Sequence, residues 1–437
     1  MRRLLPFVVS LMVLAGCGPA FANAWGGAGG WGEPGGQGGG SWGAPGLPDG
    51  VVSSSPQNFP TTNGNVFAMT QIGQVLYLGG DFTTVTIGSR TIAASHVAAI
   101  DLRTNNLLSG FSVNANGAVR TMASAPDGSG LYVGGSFSLV NGVNRLHIAE
   151  VNPPTGALIS SWTTSTTGTV DGDVWSMAVS DNAVYLGGDF TAVDGTPEAH
   201  VAAVDRTTGA LLPGWNVGVD NLPYSTTSPA PSTDGRVQAM MLSPDGSHLY
   251  IGGYFTDVSH NGTVVDQPAA ASVFTTDGTV DTTFAPALHG GPGHIGNDPF
   301  EFVTAFPGQL IVAIGGRTNA LTSFDATTGA TQWVDLANGD VQTAVANGRS
   351  LYVGGHMHSY IQDATGQHPV VDAAKIDPSN GAVDTTWNPH FVYDPTGGST
   401  YYGVWSLYAN GYTLFAGGAF LAVGGGSHAH LAEFPPA

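Results

Sequence analysis

The chain of 437 residues is poor in charge, with 10% Asp, Glu, Lys and Arg against about 25% in an ordinary soluble domain. Basic residues are the scarcest: 11 Lys plus Arg stand against 31 Asp plus Glu, and Lys375 is the single lysine. The formal charge of −20 excludes nucleic acid and anionic lipid headgroups as partners, because Coulomb repulsion opposes their approach. A lone cysteine, Cys17, excludes any disulfide within the chain. The one long apolar stretch, Leu4 to Ala15, falls short of the roughly 20 residues that span a bilayer. Helical periodicity is missing, as are a Gly-x-Ser-x-Gly elbow, a P-loop, a dinucleotide-binding Gly-x-Gly-x-x-Gly and a metalloprotease His-Glu-x-x-His, so no familiar catalytic motif announces itself. What is present is 42% hydrophobic residue, enough for a core, with 65 Gly and 27 Pro. Those two together stay under the roughly 25–30% of a low-complexity chain.

The N-terminus gives an address. Arg2 and Arg3 precede the apolar stretch, and small residues follow, the pattern of an export signal. Leu14-Ala15-Gly16-Cys17 resembles the lipobox of bacterial lipoproteins, which implies a signal over residues 1–16 and acylation of Cys17. Cleavage after Ala22, giving a secreted chain, fits the small-x-small rule as an alternative. Residues 17–47 read as a tether, Gly-rich and carrying Trp25, Trp31 and Trp42. Such a segment behaves as a coil with a reach of roughly 25–30 Å.

From residue 48 to 437 the chain repeats itself. A Gly-Gly pair follows a short apolar run at Gly79, Gly134, Gly187, Gly252, Gly315, Gly354 and Gly417, at spacings of 55, 53, 65, 63, 39 and 63 residues. Upstream of most copies sits Val-x-small-large, as in Val66-Phe67-Ala68-Met69 and Val174-Trp175-Ser176-Met177. Downstream comes a strand pattern such as His96 to Asp101, and ten positions beyond its end an aromatic: Phe111, Trp162, Trp215, Phe284 and Trp387. Short strands with Gly/Asp/Asn turns predict an all-β fold, a seven-bladed β-propeller of four-stranded blades. The seventh repeat stops after its third strand, so residues from about 48 to 59 are expected to supply its outer strand and close the ring. Asp205, Asp325 and Asp377 are expected to cap their own turns. Tight turns would lie on one face of the disc and the long connections on the other, where function usually sits.

Three sets of residues on that long-loop face could carry chemistry. His289, His294, His356 and His358, with Asp298 and Glu301 nearby, form a candidate divalent-metal cluster, His356-x-His358 placing two imidazoles on one side of an extended strand. A satisfied polar cluster is the alternative. His96, His147, His200 and His430 recur at one strand position and read as structural hydrogen bonders. At the second position of the inner strands stand Phe67, Arg120, Trp175, Gln238, Thr304, Gln342 and Trp405. Of these Arg120, Trp175, Gln238, Gln342 and Trp405 suit a ligand at the channel mouth, a neutral polyol or saccharide stacking on aromatic faces. Packing between blades is the alternative.

Residues 126–137 (Pro-Asp-Gly-Ser-Gly-Leu-Tyr-Val-Gly-Gly-Ser-Phe) and 276–284 (Thr-Asp-Gly-Thr-Val-Asp-Thr-Thr-Phe) resemble the bacterial delta-60 repeat family of β-propellers, over about residues 64–434. The resemblance implies the fold and an extracytoplasmic setting, with no catalytic motif to carry over. Repeat five departs from the pattern, with Arg317 where Phe usually stands, and repeat seven lacks an outer strand. Residues 325–333 (Asp-Ala-Thr-Thr-Gly-Ala-Thr-Gln-Trp) are similar to the tryptophan-docking repeat of quinoprotein-like propellers, which include quinone-dependent dehydrogenases and an envelope assembly lipoprotein. The sequence reading is therefore an exported, lipid-anchored propeller that binds a protein or polysaccharide on its long-loop face and touches the membrane through its anchor alone. A metal-dependent hydrolase or lyase, or a quinoprotein-like oxidoreductase, using the same face is the alternative.

Overall fold

The structure, a computed structural model, describes residues 51–164, 170–220, 235–288, 300–304, 306–315, 319–393 and 403–437. The signal, Cys17 and the tether lie outside the described residues. Among the described residues the fold is all-β, built from small antiparallel sheets of the propeller type. No described helix is long and apolar enough to cross a membrane.

The first repeat shows the plan. Its inner strand Val66–Ile72, second strand Val75–Gly80, third strand Val97–Asp101 and short outer strand Asn106–Leu107 lie side by side in that order. Elsewhere the outer strand mostly shrinks to one bridge, as in Val151–Leu158, Val204–Leu211, Val273–Val280 and Ile376–Val383. The inner strands pack beside one another in sequence order, and Val66–Ile72 also packs beside Val404–Ala409 of the last repeat. At the N-terminal edge Val52 bridges Pro436 and Gln57 bridges Glu433, both antiparallel.

The Gly-Gly pair is needed at this junction for two separate reasons. A Cβ on the first glycine would enter the next repeat's inner strand: on Gly79 it would lie 2.6 Å from Val119 Cγ1, on Gly354 2.6 Å from Val404 Cγ1, and on Gly417 2.8 Å from Val66 Cβ. The second glycine faces a β-bulge. Val66 pairs with Gly80 and Ala68 with Gly79, leaving Phe67 as the extra residue, and a Cβ on Gly80 would collide with the Asn65 carbonyl. Bulges of this kind re-aim one side chain.

The recurrent aromatics explain how neighbouring sheets are fastened. Trp162, Trp215 and Trp333 donate their indole N–H to the carbonyls of Arg206, Phe274 and Pro378 in the following repeat, and Trp387 donates to Ser53 at 3.2 Å. Tyrosines of the second strand do the same from their hydroxyls: Tyr77 to Pro153, Tyr132 to Arg206, Tyr185 to Thr275 and Tyr250 to Ala326. In repeat six Tyr352 accepts from the Val52 N–H at 3.0 Å. Each such bond satisfies a polar atom on an otherwise apolar ring, so the aromatic can be buried without an orphaned group.

The insertions between second and third strands fold differently from the expectation. In six of the repeats the insertion forms a hairpin, such as Thr84–Ile87 with Arg90–Ala93 and Asp257–His260 with Thr263–Asp266. These hairpins run back along the outer rim instead of crowning the long-loop face. Asn141 at one hairpin tip donates to the Gly156 carbonyl in the turn at the opposite end of its sheet, and Val383 donates to Asp363 at another. The chain leaving each preceding repeat pairs with the hairpin, as Val217–Asp220 does with Asp257–His260 and Thr61–Thr62 with Thr84–Ile87. An Asn or Asp clamps the hairpin base: Asn63, Asn116, Asp171 and Asn338 each accept two consecutive backbone N–H groups through one side-chain oxygen. Asp205, Asp325 and Asp377 cap their own turns as expected.

Candidate functional site

The bulges bring most of the expected mouth residues to one level. Phe67, Arg120, Trp175, Gln238, Gln342 and Trp405 are each the extra residue at the start of an inner strand. Thr304 is not among them. Its strand, Phe300–Val303, pairs Phe300 with Ile314 and Val303 with Ile311 without a bulge, so Thr304 lies at the opposite end, beside the turn at Gly308. Val303-Thr304-Ala305-Phe306 copies the Val-x-small-large pattern by composition, while the register places the start of that strand earlier.

Around Trp175 the mouth is a layered cluster. The Arg120 guanidinium lies 4.0 Å from the Trp175 ring centroid and that of Arg236 4.8 Å away, a paired cation–π arrangement. Both guanidiniums also face carboxylates, Arg120 to Asp173 and Arg236 to Asp189, each at 3.6 Å. Ser136 links the two sides: Arg120 Nε donates to its hydroxyl at 2.8 Å, and the hydroxyl donates to Asp173. Trp175 is 7% exposed, so stacking on a sugar requires one guanidinium to swing aside. Gln238 is fully buried and neither its amide oxygen nor its nitrogen has a hydrogen-bond partner.

In repeat six the Gln342 amide donates to His356 Nδ1 at 2.9 Å, and His356 Nε2 donates to Asp340 at 3.1 Å. Burial holds His356 below the ordinary imidazole range, with Asp340 opposing and His358 adding to the depression. Both ring nitrogens are thereby engaged, and the His356 and His358 ring centroids are 5.8 Å apart. His289, His294 and Asp298 lie outside the described residues, and among the described residues no group of three or more His, Cys, Asp or Glu converges as metal ligands would.

The second histidine set has a conformational reason. His96, His147, His200 and His430 all hold φ between 63° and 69°, as do Ala269 and Asp372 in the corresponding strands of repeats four and six. This left-handed turn is one that histidine adopts more readily than most residues. In three repeats Nδ1–H then donates to the second glycine of the pair: His96 to Gly80, His147 to Gly135 and His430 to Gly418, at 3.2, 2.9 and 2.8 Å. Burial opposes charge on His147, but its contact with Asp173 raises it above the ordinary range overall. Asp372, with no such donor, is 1% exposed, and burial pushes its carboxyl up to about 7.

Sequence reasoning missed the Asn/Asp clamps and the second arginine on Trp175, Arg236. The clamps carry a signal, an Asn or Asp followed by Gly two residues before the strand-opening Val or its neighbour, as in Asn63-Gly64, Asn116-Gly117, Asp171-Gly172 and Asn338-Gly339. Arg236 has none, because only the packing of neighbouring sheets brings it over a tryptophan of the preceding repeat.

The family model described as a β-propeller domain of unknown function (DUF5122) matches residues 126–158. No curated protein matches. Among solved structures, the WD40 β-propeller domain of Doa1 is similar, with a TM-score of 0.48 and 11% identity, covering 88% of this chain and 97% of that one.

Proposed function

We propose that the chain is exported, acylated at Cys17, and displays a seven-bladed propeller whose last blade takes its outermost strand from residues 48–59. Packing of Val66–Ile72 against Val404–Ala409 supports a closed ring, and so do the bonds from Trp387 and Tyr352 to Ser53 and Val52. Deletion of residues 51–59 tests closure: it should expose the edge of Leu431–Phe434 and cause aggregation, and a deletion variant as stable as the parent would sink the closed ring. Replacement of Cys17 by Ser tests the anchor, since a variant still retained in membranes would count against acylation.

The molecule acts in this reading as a binding or scaffold module, recognising a protein or polysaccharide through the bulge-bearing face. One observation carries it. A constant backbone device presents Phe67, Arg120, Trp175, Gln238, Gln342 and Trp405, whereas the position just before is Val in every one of these repeats. A purely architectural position would repeat its residue as that valine does. The test is retention on envelope polysaccharide and cross-linking to envelope proteins, comparing wild type with Arg120→Ala and Trp175→Ala. Equal behaviour of all three would mean that these side chains only pack.

A further inference from the structure

A cavity lies on the opposite face, among the tight turns, where no function was expected. It is a groove of about 720 Å³ between repeats three and four, reaching the turn at Pro126 in repeat two. That volume is within the roughly 300–1,000 Å³ of ordinary ligand sites. Its floor is apolar and aromatic, from Tyr185, Leu212 and Trp215, and its rim carries Asp181, Asp245 and Asp277. No Lys, Arg or His lines it. Arg206, in the adjoining turn, is held by the Asp181 carbonyl at 2.7 Å and the Asp127 carboxylate at 3.4 Å.

Two of the rim carboxylates, Asp245 and Asp277, are held ionised by hydrogen bonds. Asp245 accepts from the hydroxyls of Ser243 and Ser247, which together hold it down to about 2. The Thr279 backbone N–H does the same in kind for Asp277. Gly214 at the groove wall has nothing within 4 Å of where a side chain would begin. The space is therefore open and not filled by neighbouring atoms.

We infer that this groove binds an extended peptide segment carrying basic side chains, its apolar residues on the Tyr185–Trp215 floor and its cations against Asp181, Asp245 and Asp277. An extended chain presents alternate side chains to opposite sides at about 3.3 Å per residue, which suits a ligand that must meet an apolar floor and an acidic rim together. The complementary charge also favours encounter, since the whole exported body is acidic. This site is independent of the bulge-bearing face and stands or falls separately from it.

The probe is a fluorescein-labelled hexapeptide of alternating leucine and lysine, with the leucine–glutamate hexapeptide as control, read by anisotropy on the full chain. Wild type should bind the lysine peptide, and Gly214→Trp, which fills open space, should weaken binding by about tenfold or more. Asp181→Asn should weaken it by about threefold and lower its salt sensitivity, as expected for loss of one rim charge. Unchanged thermal melting of both variants would show that the fold is intact. Absence of binding, equal binding of the glutamate peptide, or full binding to Gly214→Trp would each overturn the assignment, the last by exposing mere attraction to an acidic surface.

Discussion

Repeat five and the six others solve the same packing problem in different ways. The six open their inner strand with a bulge, carry a Gly-Gly pair against it, and fold a hairpin down the rim. Repeat five has a four-stranded ladder, Phe300–Val303, Gln309–Ile314, Ala320–Asp325 and Thr331–Ala337, with no bulge in its described inner strand and no hairpin among the described residues, its one register shift falling at Gln332 of the outer strand. Its outer strand is seven residues long and pairs directly with the hairpin of repeat six. Where repeats one to four and six use a second-strand tyrosine, Gln309 donates to the Pro378 carbonyl at 2.7 Å, beside Trp333 at 3.0 Å. The lesson is that fastening to the next sheet is what every repeat must keep, while bulge and hairpin are additions that diversify one mouth and one rim.

The most damaging way to break the comparison is at the glycine pair. A Cβ on Gly134 would lie 2.7 Å from Thr121 Cγ2 and 2.9 Å from Val174 Cγ1, so Gly134→Val should cost about 3 kcal/mol or more in denaturant unfolding. Gly214→Ala, in open space, serves as the neutral control.

A smaller effect separates the long outer strand of repeat five. Burial, helped by the charge of Asp363, pushes Asp335 up to about 8. Its unfolded carboxyl titrates near 4, so from about pH 4 to 8 the folded chain holds a proton that the unfolded chain has lost. The resulting stability is fully present below that window and disappears as pH rises through the folded value. Glu150 and Glu198, raised by burial to about 7, act in the same direction. Melting temperature should fall from pH 5 to pH 8.5, and Asp335→Asn should recover on the order of 2 kcal/mol at the alkaline end. A flat wild-type profile would show that Asp335 is ionised in the folded chain.

Next in size is the hairpin clamp of repeats one, two, three and six, which has no counterpart among the described residues of repeat five. Asn116 accepts from Ser138 and Leu139 N–H groups at 2.8 Å each, and Asn116→Ala should cost about 1–2 kcal/mol by leaving them unpaired. Hydrogen exchange should show the loss confined to Leu139–Asn144. The smallest effects sharpen the likeness instead. Trp162→Phe and Trp333→Phe each remove one interrepeat hydrogen bond and should each cost about 1 kcal/mol; a cost seen only for Trp162 would mean that repeat five is fastened in another way.

Much of this was legible in the residues. The Gly-Gly spacing, the strand-opening valines and the aromatic ten positions past five of the third strands are local or periodic features, and each corresponds to a contact that most sheets repeat. Asp205, Asp325 and Asp377 act within a few residues of themselves, so their role could be read directly. The mouth was only half legible. The residue type at the bulge is visible at Trp175, but its cover by Arg120 and Arg236 depends on three successive sheets meeting at one angle. Thr304 misled because composition matched while register did not.

By itself the sequence determined an all-β chain of repeated sheets, low in charge because most residues are strand packed between neighbours. It also set the acidity, 31 Asp plus Glu against 11 Lys plus Arg. Tertiary structure alone decided where the insertions go. Each described hairpin finds its pairing partner in the segment that precedes its repeat, an unpaired edge whose N–H and C=O groups must be satisfied, and so these hairpins clad the rim. It also decided that a groove of about 720 Å³ opens among the shortest turns, since the volume left between two neighbouring sheets is a property of their packing and of no residue taken alone.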